Sequence, residues 1–267
     1  MKKIKISIII IFLASVLIFT GFCLFEKITK DTEPPVISYD ESVTKFSVTA
    51  DEKEFLKNVT AKDNKSGDVS DSLVVESMSE IMEDNTREIS YAAIDESGNV
   101  GRKNRTIQYK DYQKPTYTLK RPLRFQIGKS IDIFSCIAAD SVLDGDLSGK
   151  IKYTLSNGFR ANNPGIYNIE FSVMDSGENV VYLPVTIEMY EGKDERIEVS
   201  LKQYLVYSTV GQPFDANEYY EGADKEGRLI IDSGVNTAQP GVYYVDYIVE
   251  GPGGKGVSRL VVVVMEE

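Results

Sequence analysis

Three stretches of this chain repeat one pattern, which restricts the chain to a series of similar domains. They are Val59–Tyr109, Cys136–Tyr190 and Tyr219–Val264. The first two each contain an Asp followed shortly by Gly-Asp, namely Asp63 with Gly67-Asp68 and Asp140 with Gly145-Asp146. The third repeat has a similar spacing of strands and turns, but Asp224 is followed by Glu226-Gly227 instead of Gly-Asp. A chain of 267 residues has room for three such domains of roughly 80 residues each.

Each repeat contains a segment in which apolar residues occupy every second position. This alternation predicts strands with one buried face, because successive side chains of a strand point to opposite sides of the sheet. A turn rich in Gly and Asn or Pro follows each segment and indicates a hairpin. The residues predicted to face the core are Ile89, Tyr91 and Ala93, then Ile169, Phe171 and Val173, then Val245, Tyr247 and Val249.

A Pro-Gly-x-Tyr sequence opens this strand in the second and third repeats, at Tyr167 and Tyr243. A tyrosine at this place can return its hydroxyl to a backbone group just upstream, as in the tyrosine corner of Greek-key sandwiches. The first repeat has Arg87 at the aligned position. Its corner must therefore be built in another way.

The N-terminus contains an uncharged apolar run at residues 6–25, preceded by Lys2, Lys3 and Lys5. Twenty helical residues cover about 30 Å, the hydrocarbon thickness of a bilayer. We therefore predict a retained signal-anchor, with the preceding lysines in the cytoplasm and the rest of the chain outside the cell. A cleaved signal peptide remains the alternative.

The composition narrows the possible functions. The chain has no histidine, 41 acidic and 30 basic residues, and a formal net charge of −11. Polyanions are repelled by such a surface, so no nucleic-acid partner is expected. Without His, the commonest general base is missing, and we predict that the chain is not an enzyme. Cys23 and Cys136 are not expected to pair, and Cys136 is predicted to be a buried apolar residue.

Several motifs together resemble a known family: Val59–Asp63 at a strand end, the turn Gly67–Ser70, and the Asp95–Asn99 hairpin. They are similar to the bacterial immunoglobulin-like domains that occur in tandem on Gram-positive surface proteins. The resemblance is clear over residues 33–190 and weak beyond residue 196. It implies an all-β chain of three immunoglobulin-like β-sandwiches after one N-terminal transmembrane helix. The predicted boundaries are 1–30 for the anchor, then 31–112, 113–192 and 193–267.

The acidic loop from Asp140 to Asp146 permits two interpretations. Its carboxylates and its glycine have the character of a calcium loop, but the regular EF-hand spacing is missing. Asp and Gly are also preferred in any tight turn, because Asp accepts hydrogen bonds from nearby backbone N–H groups. We favour the turn and predict no metal site, cofactor or catalytic residue. Were calcium bound, Asp63 and Asp68 should form the equivalent site in the first repeat.

The third repeat has two adjacent tyrosine pairs, from which we select Tyr220 and Tyr244 as candidate partner-binding residues. Exposed aromatic rings can stack on sugars or anchor a protein. The sequence thus predicts a non-catalytic protein of the cell membrane, single-pass with its C-terminal bulk extracellular, that binds a protein or a cell-wall glycan or serves as a spacer. The alternatives are a structural subunit that scaffolds an envelope complex and a cell-wall carbohydrate-binding module.

Overall fold

The computed structural model describes residues 2–42, 44–192 and 197–266, with the side chains of 2–9 and 26–29 left out of the description. The chain divides into two compact units, Met1–Lys110 and Asp111–Glu267. Apart from the N-terminal helix, both are built mainly on β-strands, as the alternating pattern predicts. The predicted boundary between residues 192 and 193 falls at the edge of residues 193–196, which lie outside the described residues, and the three domain boundaries stay predictions.

Residues 6–25, predicted to be the membrane anchor, lie in helix α1 (Lys2–Thr29). Within the described residues, no helix combines the length and the hydropathy needed to cross a bilayer.

The first unit contains a short helix and one set of strands, which we call the first strand set. Asp51 caps the N-terminus of helix α2 (Glu52–Leu56), and its side chain accepts the backbone N–H of Glu54. The strands are β1 Val36–Tyr39, β2 Lys45–Phe46, β3 Val59–Asp63, β4 Gly67–Asp68, β5 Val74–Met78, β6 Thr86–Ile94 and β7 Val100–Tyr109.

The second unit contains two further sets. The second strand set is β8 Thr116–Leu119, β9 Arg124–Gln126, β10 Ile137–Ser141, β11 Gly145–Asp146, β12 Lys152–Leu155, β13 Gly165–Met174 and β14 Val180–Tyr190. The third strand set is β15 Val199–Leu201, β16 Leu205–Thr209, β17 Tyr220–Ala223, β18 Arg228–Ser233, β19 Gly241–Gly251 and β20 Gly254–Met265.

All three sets share one pairing pattern. A four-stranded sheet has the orders β2-β7-β6-β5, β9-β14-β13-β12 and β16-β20-β19-β18. In each of these sheets a short early strand runs parallel to the last strand, and the other pairs are antiparallel. A smaller sheet, β1-β3-β4, β8-β10-β11 or β15-β17, completes each set. The sequence repeat is thus also a repeat of topology.

The predicted core residues are buried in every set. Ile89, Tyr91, Ile169, Phe171 and Tyr247 are all at most 1% exposed. Buried side chains of both sheets in the second set form a common core, which includes Tyr117 and Ile137 from the small sheet. The two sheets therefore pack face to face, as a β-sandwich requires.

Both predicted tyrosine corners are present. Tyr167 Oη donates to the carbonyl of Asn163 at 3.2 Å, and Tyr243 Oη donates to that of Gln239 at 3.0 Å. In the first strand set Arg87, itself buried, donates instead to the carbonyl of Ser79.

Candidate metal centre

The predicted partner-binding residues, Tyr220 and Tyr244, are both half-buried. The ring of Tyr220 stacks on that of the buried Tyr247, with centroids 6.4 Å apart and planes 13° apart. Tyr244 packs against the core of the second strand set, and the Arg259 guanidinium lies 5.4 Å from its ring centroid. Their role in partner binding stays a prediction.

Three aspartates from separate parts of the first unit converge on one point. Asp31 precedes β1, Asp63 ends β3, and Asp95 begins the turn between β6 and β7. One carboxylate oxygen from each lies within 4.8 Å of the others. Asp31 and Asp95 are 5% and 6% exposed, and Asp63 is half-buried. Three carboxylates at this separation are the oxygen-ligand set that a hard cation requires.

Turn geometry holds two of the three carboxylates in place. Asp63 Oδ1 accepts the backbone N–H groups of Lys65 at 2.9 Å and of Ser66 at 2.7 Å. Asp95 Oδ1 accepts the Asn99 backbone N–H at 2.8 Å, and its Oδ2 accepts the Asn99 side-chain amide at 2.8 Å. The hairpin turn that the sequence predicts at Asp95–Asn99 thus also orients a carboxylate toward the cluster.

Hydrogen bonding leaves part of the cluster unsatisfied. Asp31 Oδ1 accepts the Glu33 N–H at 3.2 Å, whereas Asp31 Oδ2 and Asp63 Oδ2 are buried without any hydrogen-bond partner among the described residues. A buried carboxylate oxygen with no partner costs about 1–3 kcal/mol or more, so native proteins nearly always supply one.

Local hydrogen bonds favour the charged form of Asp63. The N–H groups of Ser66 and Lys65 hold the pKa of Asp63 below its usual range. The Lys65 ammonium lies 3.9 Å from Asp31 Oδ1 and is the basic group paired with the cluster. Three carboxylates and one ammonium leave a formal charge of −2.

The equivalence that the sequence suggested between Asp63 and Asp140 is wrong by one residue. In the small sheets Val36 pairs with Lys62, and Thr116, at the same place in the second set, pairs with Asp140. Asp140 therefore corresponds to Lys62, and Ser141 corresponds to Asp63. The sequence comparison aligned the two loops on their Asp residues. The strand pairing in the structure instead aligns Ser141 with Asp63.

Local hydrogen bonds support this correction. Ser141 Oγ accepts the N–H groups of Leu143 and Asp144, as Asp63 Oδ1 accepts those of Lys65 and Ser66. Asp68, which the sequence grouped with Asp63, is exposed and accepts from Ser70 at 2.6 Å, so it is not among the three converging aspartates.

The sequence analysis does not single out Asp31, and it names Asp95 only as part of the hairpin motif Asp95–Asn99. One sequence feature could have indicated the site. Asp31 lies four residues before Pro35, at the start of the first repeat, and Asp95 directly follows its alternating strand β6. That signal is weak, since the contact between them depends on how the two sheets pack.

A second polar arrangement joins the second and third strand sets. Arg124 of β9 donates to Glu188 of β14 at 2.8 Å and to the carbonyl of Val257 of β20 at 2.7 Å. Arg259 of β20 lies 3.9 Å from Glu188 and forms two hydrogen bonds with Asp246 of β19. The pair of Arg259 with Glu188 crosses the junction, and each of these partly buried charges has a partner, as its desolvation demands.

Apolar packing continues across the same junction. Leu205 and Val261 of the third set belong to the hydrophobic core of the second set. The backbone N–H of Tyr117 also donates to Tyr207 Oη at 2.9 Å. The two sets therefore share part of one core within the unit Asp111–Glu267.

No protein-family model and no curated protein matches this chain. Among solved structures it is similar to the M60 catalytic domain with CBM51-1 and CBM51-2 domains from Clostridium perfringens ZmpB, at 13% identity and a TM-score of 0.21, over 87% of this chain and 31% of that one. A protocadherin GammaB4 extracellular domain gives 13% identity and a TM-score of 0.22, over 87% and 49%.

Drosophila N-cadherin EC1-4 gives 14% identity and a TM-score of 0.23, over 89% of this chain and 67% of that one. The chain spans less than half the length of the first two structures. At these TM-scores the likeness carries no argument about fold, ligand or function.

Proposed function

We propose that this chain is a non-catalytic protein of the bacterial cell surface, tethered by its N-terminal segment, whose three immunoglobulin-like sandwiches form an extracellular binding or spacer module. The anchor and the cell-surface location come from the sequence prediction alone. The binding partner would be a protein or a cell-wall glycan.

The junction between the second and third strand sets is the observation that supports this proposal best. Shared apolar packing around Leu205 and Val261, the hydrogen bond from Arg124 to the Val257 carbonyl and the charge pair of Arg259 with Glu188 fix the two sets to each other. A spacer must keep successive domains in a constant arrangement, and a recognition surface formed by two domains needs the same. Flexibly linked domains would lack such a junction.

Partner capture tests the binding function. The full chain, kept in mild detergent, is immobilised and exposed to solubilised envelope proteins, purified cell wall and matrix proteins. We expect one protein or glycan to be retained, and we expect Tyr220→Ala and Tyr244→Ala to weaken its capture while the chain stays folded. Tyr182→Ala is the matched control, since Tyr182 is 60% exposed on the second strand set. Equal capture by all variants would remove the tyrosines from the proposal.

Fractionation of cells tests the tether. A chain held in the membrane is released by detergent and not by high salt or alkaline carbonate. If the anchor is replaced by an unrelated one, a binding or spacer module keeps its activity, whereas a subunit of a membrane complex loses its partners. Loss of activity on this exchange would favour the scaffold alternative.

A further inference from the structure

We propose that Asp31, Asp63 and Asp95 bind one calcium ion, which fixes the segment before β1 to the loops that follow β3 and β6. The cluster is built from three distant parts of the sequence and is largely closed to solvent. This site is separate from the proposed partner-binding function, and its test does not depend on finding a partner.

Asp31 has a buried carboxylate with one unsatisfied oxygen. Asp31 is 5% exposed, and its Oδ2 has no hydrogen-bond partner in the described part of the chain. Asp63 Oδ2 is in the same state. Protein donors already serve the opposite oxygen of both carboxylates. A cation placed among the three residues would satisfy both orphaned oxygens at once.

The cluster also carries an excess of negative charge. The cluster brings together three carboxylates and one ammonium, that of Lys65, which is itself 3.9 Å from Asp31. Uncompensated charges of one sign are costly away from water, where the effective dielectric constant is low. A divalent cation neutralises the remaining formal charge of −2, whereas a monovalent ion leaves half of it.

The spacing of the oxygens is compatible with calcium. Calcium binds oxygen at about 2.3–2.6 Å, so ligand atoms on opposite sides of one ion lie about 5 Å apart. Magnesium dehydrates reluctantly and keeps several waters, which a largely closed cluster disfavours. The three carboxylate oxygens lie within 4.8 Å of one another. Backbone carbonyls or water would complete the six to eight ligands that calcium takes.

The second strand set offers an internal comparison at the equivalent place. Ser141 stands in place of Asp63, and Asp144 of the same loop accepts the Ser176 N–H at 2.7 Å. Tyr112, buried and three residues before Pro115 as Thr32 is before Pro35, donates its hydroxyl to Asp175 Oδ2 at 2.6 Å. Asp175 thus has a hydroxyl donor, whereas Asp95 lies beside two further carboxylates.

The segment that the ion would fix is already held at its other end. A Cβ atom at Gly101 of β7 would overlap the carbonyl oxygen of Pro35, so the chain passes close to β7 at that point. An ion at Asp31 adds a second attachment four residues earlier. Calcium would thus stiffen the exit from α1 into the first strand set.

Calcium titration of the full chain in mild detergent tests the site, with calorimetry as the readout and magnesium as the competing ion. We expect one calcium per chain and at least tenfold weaker binding of magnesium. We expect Asp31→Asn, Asp63→Asn and Asp95→Asn each to weaken calcium binding at least tenfold. The matched control is Asp68→Asn, which changes an exposed carboxylate of the same loop and should bind calcium like the unmodified chain.

Thermal unfolding separates loss of the ion from loss of the fold. Asn at position 63 keeps an oxygen for the N–H groups of Lys65 and Ser66, so Asp63→Asn in chelator should melt within a few degrees of the unmodified chain in chelator. Calcium should then raise the melting temperature of the unmodified chain and not that of the variant.

Three results would overturn the proposal. They are the absence of calcium binding at millimolar calcium, unchanged binding by the Asp31 and Asp63 variants, and a loss in Asp68→Asn as large as that in Asp63→Asn. The last result would move the ion to the loop that the sequence first suggested.

Discussion

The hydroxyl of Tyr112 donates a 2.6 Å hydrogen bond to Asp175 Oδ2, and both residues are buried. Burial raises the pKa of the Tyr112 phenol, and the Asp175 carboxylate raises it further, so the phenol keeps its proton at neutral pH. This pair connects the start of the second unit to the turn between β13 and β14. Because it involves a buried carboxylate, it is expected to be among the stronger side-chain contacts of the unit.

Tyr112→Phe should lower the free energy of unfolding of the full chain by about 1–3 kcal/mol, because Asp175 Oδ2 loses its hydroxyl donor in a buried place. Urea unfolding followed by fluorescence measures the change. Tyr182→Phe removes a hydroxyl from an exposed ring and should change stability by less than about 0.5 kcal/mol. Equal effects of the two substitutions would show that the Tyr112 bond contributes little.

Glu188→Gln should destabilise the unit Asp111–Glu267 by about 1–3 kcal/mol, because the Arg124 side chain, only 6% exposed, loses its anionic partner. This loss of stability is smaller than the loss on breaking a fully buried ion pair, because Glu188 is 20% exposed. Calorimetric melting of the full chain provides the measurement.

The exposed pair of Glu76 and Arg102 is a matched control with similar two-pronged geometry. Glu76→Gln should cost about 0–1 kcal/mol, because water screens this pair. If Glu188→Gln costs no more than this control, the charge pairs do not hold the junction of the second and third strand sets.

Gly101→Ala should destabilise the first unit by about 1–3 kcal/mol. The added methyl group would overlap the Pro35 carbonyl and displace strand β1, which begins at the next residue. Gly149→Ala is the control, since nothing lies within 4 Å of a Cβ at that position. If calcium binds as proposed, Gly101→Ala should also weaken its binding, since Asp31 lies in the displaced segment. A Gly101→Ala chain as stable as Gly149→Ala would contradict the close approach.

High pH should unfold the second unit by ionising buried tyrosines. Burial raises the pKa of Tyr247 to about 12, and its hydroxyl donates to the Ala216 carbonyl at 2.6 Å. The unfolded phenol titrates near pH 10. The stabilising effect of the neutral phenol is therefore complete below about pH 10 and is lost as the pH rises toward about 12.

Melting temperatures of the full chain between about pH 8 and 11 test this prediction. Tyr247→Phe has no proton to lose at this position, so its melting temperature should fall less steeply with pH than that of the unmodified chain. Lysine and the other tyrosines titrate in both proteins and cancel in the comparison. Parallel curves would exclude Tyr247 as a source of the alkaline instability.

The local features of this fold could be predicted from the sequence. Alternation of apolar and polar residues placed Ile89, Tyr91, Phe171 and Tyr247 in the core, and each is buried there. Cys136 is buried and unpaired, as its apolar surroundings indicated. These features depend on the geometry of a single strand or turn, in which neighbouring residues decide the outcome.

The candidate site could be predicted only in part. Asp63 was recognised as a possible ligand, but its expected partner was Asp68, five residues away, instead of Asp31 and Asp95. The match between Asp63 and Asp140 also failed, because the pairing of β8 with β10 aligns Ser141 with Asp63. A shift of one residue turns a side chain to the opposite face of a sheet, so letter matching alone could not detect it.

The sequence by itself determined which segments become strands, which side of each strand is buried and where the turns lie, because these follow from the two-residue period of a strand and from the preferences of Gly, Pro and Asn. Only the tertiary structure decided that Asp31 meets Asp63 and Asp95, and that Arg124 reaches the third strand set. Both contacts join residues far apart in the chain, and their positions depend on strand register and on the packing of one sheet against another.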